Sequence, residues 1–324
     1  MSAETAGQDA FDLVVIGDCN PDVVVRGDDL APAFGQQEKL VASMSLVVGG
    51  SASITAVAAA RLGLRVALVA AIGDDAAGSF MLAELKAAGV NTEAVPVRPG
   101  SPTGMTVALS QGDDRAILTA EGVMATLTAA DVPAGLLARA RHVHVSSYFL
   151  LERSLGPGLA ALLAAARAAG AATSLDTNWD PAENWGGEFL PDVLAQADLL
   201  LPNEAEALRL AGSADLEAAV AKLTEAGGAI AVKLGSRGAL YADGARRYLA
   251  TPPPLTPIDT TGAGDCFNAG LLAGLLNGLE PADALALGCA TGAASTQGIG
   301  GTGRATDLAT ALALAGNVAV RPGP

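Results

Sequence analysis

Short β-branched runs alternate with alanine-rich helical patterns along most of this chain, and that alternation restricts the fold more than any other feature. Residues 11–17 (FDLVVIG) read as a buried strand ending on a glycine. Residues 51–62 (SASITAVAAARL) read as a helix that starts after Gly49-Gly50 and stops at Gly63. A strand over 65–72 and a helix over 75–88, closed by Gly89, repeat the pattern. It returns as strands over 142–146, 172–175, 199–201 and 229–233, with helices over 155–169, 204–211, 214–226, 265–277, 281–297 and 307–315. Strands joined through helices pair in parallel, and the crossovers place helices on both faces of the sheet. The predicted class is therefore α/β, a three-layer α/β/α arrangement around a mostly parallel sheet.

Two stretches break the alternation. Residues 23–48 and 95–119 show alternating hydrophobicity with no helical pattern between their strands, and each carries a Gly-Asp-Asp turn signal, at 27–29 and 112–114. They predict a small antiparallel sheet standing off the main one as a lid. No long linker, low-complexity tract or internal repeat interrupts the remainder, so a single domain over 11–320 is expected, with 1–10 a disordered lead-in. At 324 residues and 51% apolar side chains, the chain can bury one large core.

A formal charge of −15, with no basic cluster larger than Arg246-Arg247, argues against nucleic acid as a partner. The start MSAETAGQDA has neither a basic nor an apolar targeting segment. The alanine-rich stretch 156–172 is interrupted by Arg167 and reads as too weakly apolar for a membrane span. Three widely spaced cysteines without a CxxC predict free thiols in a reducing cytoplasm.

The segment Pro257-Ile258-Asp259-Thr260-Thr261-Gly262-Ala263-Gly264-Asp265 leads straight into an apolar helix. Gly262 and Gly264 leave backbone N–H groups unobstructed by Cβ atoms. A helix start adds unpaired N–H groups and the positive end of its dipole. Gly262, Ala263 and Gly264 thereby predict an anion hole for a transferring phosphoryl group. Asp265, in the first turn, is placed to accept a proton from an attacking alcohol. Read alone, the same aspartate is equally well a structural carboxylate at a helix start.

The run DTTGAGDCFNAG resembles the C-terminal motif of the ribokinase-like (phosphofructokinase-B type) carbohydrate kinases. Residues 49–63, from Gly49-Gly50-Ser51 to Gly63, resemble that family's N-terminal motif, and the likeness holds in order along nearly the whole chain. The resemblance implies transfer of the γ-phosphoryl group of ATP, with Mg²⁺, to a hydroxyl of a sugar, Asp265 acting as base. It implies that Gly49 and Gly50 allow close backbone approach to the sugar, and that Asn20 and Asp22 hold its hydroxyls. Ile54 occupies a position where the family carries a sugar-contacting Asn, so the acceptor should differ there.

By the same resemblance, Asn203 and Glu206 lie near Mg²⁺ and its waters, Glu206 acting through water. Asn203, Lys233, Gly235, Gly238 and Thr261 line the nucleotide site, and Asp259 and Thr261 belong to a loop for a monovalent cation, which suggests K⁺. A homodimer paired through the lids is also implied. Residues 176–181 resemble a D-x-N-x-R segment, but Asp180 stands where the Arg is common. The plain alternatives are a helix-start turn for Gly49-Gly50, turn chemistry around Pro21 for Asn20 and Asp22, and a helix start for Asn203 and Glu206. The rival readings are a nucleoside or phosphosugar kinase, with Arg26, Arg98 or Arg115 supplying charge, and a sugar-binding regulator.

Three further patterns carry no chemistry on this reading. Gly298-Ile299-Gly300-Gly301-Thr302-Gly303 matches G-x-G-x-x-G but follows a helical pattern rather than a strand. No lysine follows a glycine, so a P-loop is absent. His142 and His144 share one strand face with no third ligand, and read as packed core.

Overall fold

The computed structural model describes residues 10–111, 114–226, 228–304 and 306–323. The expected lead-in therefore lies outside the described residues except for Ala10, as do Gly112 and Asp113 of the second turn signal and the side chain of Arg115.

The strand Phe11–Ile16 sits inside a nine-stranded sheet, between Val66–Val69 and Ala140–Val145. Ala172–Leu175, Leu199–Leu200 and Ala229–Lys233 continue it in parallel. Alternation along a strand sends Leu13 and Val15 to one core and Val14 and Ile16 to the other. The first core is covered by helices Ser51–Arg61, Ala263–Leu276 and Pro281–Ser295, the second by Tyr148–Ala168, Glu204–Ala211 and Leu216–Ala226. The scarcity of aromatics is met by close helix packing: a Cβ on Gly274 would lie 2.8 Å from Ala284 Cα.

Three strands were not anticipated. Ala239–Ala242, Arg247–Thr251 and Ala319–Pro322 add an antiparallel edge beyond Ala229–Lys233. They are short, and pairing rather than periodicity creates them. The helix predicted at 155–169 begins earlier, at Tyr148, and carries Pro157 inside it. Burial of Tyr148, Phe149 and Leu151 draws the preceding residues into the helix despite the Gly-Pro-Gly signal. By length and composition this helix would suffice to cross a membrane, contrary to the reading of 156–172, yet its Leu155, Leu159 and Leu163 are buried in the second core.

The two irregular stretches meet in a separate four-stranded sheet. Its strands are Asn20–Arg26, Ser43–Gly49, Met105–Gln111 and Asp114–Ala120. It is mixed rather than antiparallel, because Asn20–Arg26 and Met105–Gln111 run parallel. The long excursion between them provides the crossover that parallel pairing needs. Val97–Arg98 pairs with Ile72–Gly73 instead of joining this sheet.

Parallel registers such as Ile16 with Val69 and Val145 align the strand ends. The segments leaving them, at 17–22, 146–147, 176–180, 201–203 and 233–235, consequently gather at one carboxyl edge, where open α/β sheets bind ligands.

Candidate active site

Helix Ala263–Leu276 starts without a side-chain cap. Its N-cap, Gly262, has φ 71°, and a Cβ there would lie 2.4 Å from Gly301 Cα, so glycine is required on both counts. The first-turn N–H groups are thus not spent on a capping side chain. A Cβ on Gly264 would lie 3.6 Å from Lys233 Nζ, which places this turn beside the lysine. Asp265 is buried, and burial, followed by the Asp176 carboxylate, holds its pKa well above the usual range, with Lys233 opposing.

Lys233 does not extend freely toward a ligand. Its Nζ pairs with Asp176 Oδ2 at 2.6 Å, and Asn268 Nδ2 donates to the same oxygen at 2.6 Å. Burial works against the ammonium, but Asp176 and Glu206 outweigh it and keep it charged. Glu206 is pushed up to about 7 by burial and then by Asp176, with Lys233 opposing. Asp176, Glu206 and Asp265 thus act on a single described lysine, and Asp18 adds to the charge facing Asp265, a buried carboxylate surplus.

Asn203 and Glu206 also realise their plain alternative. Glu206 N donates to Asn203 Oδ1 at 2.9 Å and Asn203 N to Glu206 Oε2 at 2.8 Å, a reciprocal cap on helix Glu204–Ala211.

On the acceptor side, Asn20 and Asp22 stand on the inner strand of the small sheet. Asn20 Nδ2 donates to Asp22 Oδ1 and to Thr106 Oγ1, both at 3.1 Å, and Thr106 Oγ1 meets Thr119 Oγ1 at 3.1 Å. A Cβ on Gly49 would fall 1.9 Å from Asp22 Oδ1, so this glycine makes room for the carboxylate. Gly50, at φ 75°, leaves the same room for Asn20 Oδ1. Ile54 sits one turn along from Gly50, its N–H donating to Gly50 O at 2.9 Å, and its side chain is buried against the Gly262 and Gly301 backbones.

On the other side of Asp265, Gly235 (φ 61°) faces open space. Gly238 is needed elsewhere: a Cβ there would lie 1.9 Å from Ala250 O. Asp259 accepts from Thr261 N at 2.9 Å and from Gly300 N at 2.8 Å, while Thr261 Oγ1 is buried without a protein partner. The G-x-G-x-x-G run therefore packs onto the Asp259 loop, and Cys266 Sγ contacts Gly301 O at 3.2 Å.

Sequence reasoning missed Asp18, which caps helix Ser51–Arg61 through Ser51 N (3.1 Å) and Ala52 N (2.9 Å) from another strand end. It also missed the pairing of Asp176 with Lys233. His142 and His144, as expected, are core: Ser174 Oγ bridges them at 2.7 and 2.8 Å, and Ser146 Oγ meets His144 at 2.9 Å.

This architecture is shared. Arabidopsis thaliana ribokinase, complexed with ribose and ATP, superposes with a TM-score of 0.78 at 24% identity, covering 94% of this chain and 99% of that one. The fold is that of the ribokinase-like proteins. A 2-dehydro-3-deoxygluconokinase from Bacillus subtilis (strain 168) is 29% identical over 301 residues, covering 86% of this chain and 90% of that protein. A ribokinase from the same organism is 30% identical, covering 83% and 87%. Residues 10–307 match the profile of the pfkB family carbohydrate kinases. The chain belongs to that family, and its enzymatic class is that of a carbohydrate kinase.

Proposed function

We propose that this kinase transfers the γ-phosphoryl group of ATP to a hydroxyl of an uncharged sugar, with Asp265 as the base. The observation that carries the reading is the uncapped start of helix Ala263–Leu276, beside a buried acid that its own helix does not use. Asp265 accepts the proton of the acceptor hydroxyl, and the N–H groups of Gly262, Gly264 and Asp265 take up charge on the transferring phosphoryl group, the Ala263 N–H being turned to Thr260 O at 3.3 Å. Lys233, held by Asp176, keeps positive charge beside that turn. The small sheet excludes water from above.

The carboxylate surplus suits a divalent cation, and Asn203 and Glu206 would hold Mg²⁺ through its waters. Mg²⁺ would neutralise phosphate charge. Asp259 and the unpartnered Thr261 hydroxyl would hold a monovalent cation such as K⁺. Met44, Val25 and Leu109 pair across the small sheet, as do Leu46, Val23, Val107 and Leu118, so one face of it is apolar. Met44, Leu46 and Leu118 are exposed, which supports a homodimer through the lids. Buried free thiols at Cys19, Cys266 and Cys289 suit a reducing, cytoplasmic location.

The described cations offered for an anionic acceptor are committed elsewhere. Arg98 pairs with Asp131 at 2.8 Å and Arg26 donates to Ile258 O at 3.2 Å; Lys233, offered for the nucleotide, is paired with Asp176. Asp180, where an arginine would meet a carboxylate, accepts instead from the N–H groups of Ala182, Asn184 and Trp185. An ADP-release screen over neutral pentoses, hexoses and ketoses, keto-deoxy acids, sugar phosphates and nucleosides tests the assignment. Fastest turnover with a neutral sugar is expected, and a clear preference for an acid or phosphosugar refutes the uncharged acceptor.

A further inference from the structure

We infer that Ser51 and Asn178 are positioning residues for Asp265, through a chain of hydrogen bonds whose direction the chemistry dictates. Asn178 Nδ2 reaches two serine hydroxyls, Ser51 Oγ at 2.7 Å and Ser147 Oγ at 2.9 Å. Each serine also faces a buried aspartate, Ser51 facing Asp265 and Ser147 facing Asp18, and Thr55 Oγ1, one turn along the Ser51 helix, donates to Asp265 O at 3.4 Å. An ionised carboxylate only accepts, and a hydroxyl has one proton to give. With both carboxylates ionised, the state in which Asp265 can act as a base, the serines donate to them, which leaves them as acceptors toward Asn178. The amide must turn its NH₂ group to both, since its oxygen would compete for the same serine protons.

Two independent features hold this arrangement in place. Ser51 N is tied to Asp18 Oδ2 at 3.1 Å, so the start of its helix does not drift. Asn178 and Ser147 both sit in the left-handed region, at φ 54° and 59°, which non-glycine residues rarely adopt. Asn178 N donates to Asp176 Oδ1 at 3.2 Å, so the aspartate that holds Lys233 also holds this turn. Ser51 thus aims the Asp265 carboxylate and favours its charged form against the cost of burial.

The inference rests on Asp265 as the base, and three substitutions separate the two claims. They are assayed with ATP and the neutral sugar turned over fastest in the screen, D-ribose and D-fructose included. Ser51→Ala is expected to lower kcat by about tenfold, the loss of one hydrogen bond to a charged group, with KM for ATP unchanged. The acid limb of its pH–kcat profile moves upward, because the other charged groups facing Asp265 (Asp18, Asp176 and Lys233) stay in place. Ser51→Thr restores both. Asn178→Asp should be worse than Asn178→Ala, because a carboxylate draws the Ser51 proton away from Asp265 while alanine only frees it. Thermal melting of each variant confirms folding. Loss of turnover in Asp265→Asn alongside unchanged kcat and pH profile in Ser51→Ala and Asn178→Asp overturns the positioning role alone. Full turnover in Asp265→Asn overturns the base and this role with it.

Discussion

Helices Glu204–Ala211 and Ala263–Leu276 both begin at the carboxyl edge of the sheet with an acid in the first turn, and both acids feel Asp176 and Lys233. At the first, Glu206 and Asn203 satisfy each other's backbone N–H groups, so the helix start is closed. At the second, the N-cap is a left-handed glycine, no side chain caps the turn, and Asp265 turns across to Ser51 of another helix. An acid near a helix start stabilises the helix when it is spent locally, and becomes available for chemistry when another element engages it. Helix Ser51–Arg61 is intermediate, capped by Asp18 from a distant strand end.

Breaking the second helix start should produce the largest effect on activity and little on stability. Asp265→Asn is expected to lower kcat by roughly 10²–10⁴ with ATP binding largely kept, measured by coupled ADP release and nucleotide titration. Its melting temperature should hold or rise, since a buried carboxylate is removed. Turnover near that of the parent enzyme would erase the distinction between the two helices.

Acid tests the sheet beneath both helix starts. Burial depresses His142 to about 4 and His144 to about 3, from 6.5, so the unfolded chain takes up protons that the folded one refuses. Stability contributed by the neutral pair is complete above pH 6.5 and falls as pH drops toward those values. The loss is about 1.4 kcal/mol per pH unit for each histidine, or roughly 2 kcal/mol apiece near pH 5. His144→Gln, which keeps hydrogen bonding without titrating, should flatten the decline of melting temperature between pH 7 and pH 5. An unchanged slope would move the acid sensitivity away from the sheet.

The smallest effect belongs to the closed helix start. Asn203→Ala removes the reciprocal cap and should cost about 1 kcal/mol in urea unfolding. A hundredfold loss of turnover at unchanged stability would instead show that the part of Asn203 in holding Mg²⁺ through its waters outweighs its part as a cap.

Local signals were read well because their partners are neighbours in the chain. Helix Glu204–Ala211 matches its expected bounds, since its cap residues are three apart and stand at its start. Gly49, Gly50 and Gly262 were singled out for a ligand's approach, while the atoms that a Cβ would meet belong to the protein: Asp22 at Gly49, Asn20 and Asp18 at Gly50, and Gly301 at Gly262. Long-range partners left no comparable trace. Asn178 lies 127 residues from Ser51 and Lys233 lies 57 from Asp176, and none of the four carries a pattern naming the other. The G-x-G-x-x-G run follows helix Pro281–Ser295 rather than a strand, as its sequence context indicates, yet its contacts with Asp259 and Cys266 appear only once the chain is folded.

By itself the sequence determined the alternating strands and helices, the two cores they create, and the glycine-rich turn that leaves a helix start uncapped. These follow from periodicity and backbone freedom, which adjacent residues carry. Only the tertiary structure decided which acids are consumed as caps, that Lys233 is paired with Asp176, and that Asn178 stands behind Ser51. Those outcomes depend on burial and on distances between strand ends, where removing water makes each pairing count.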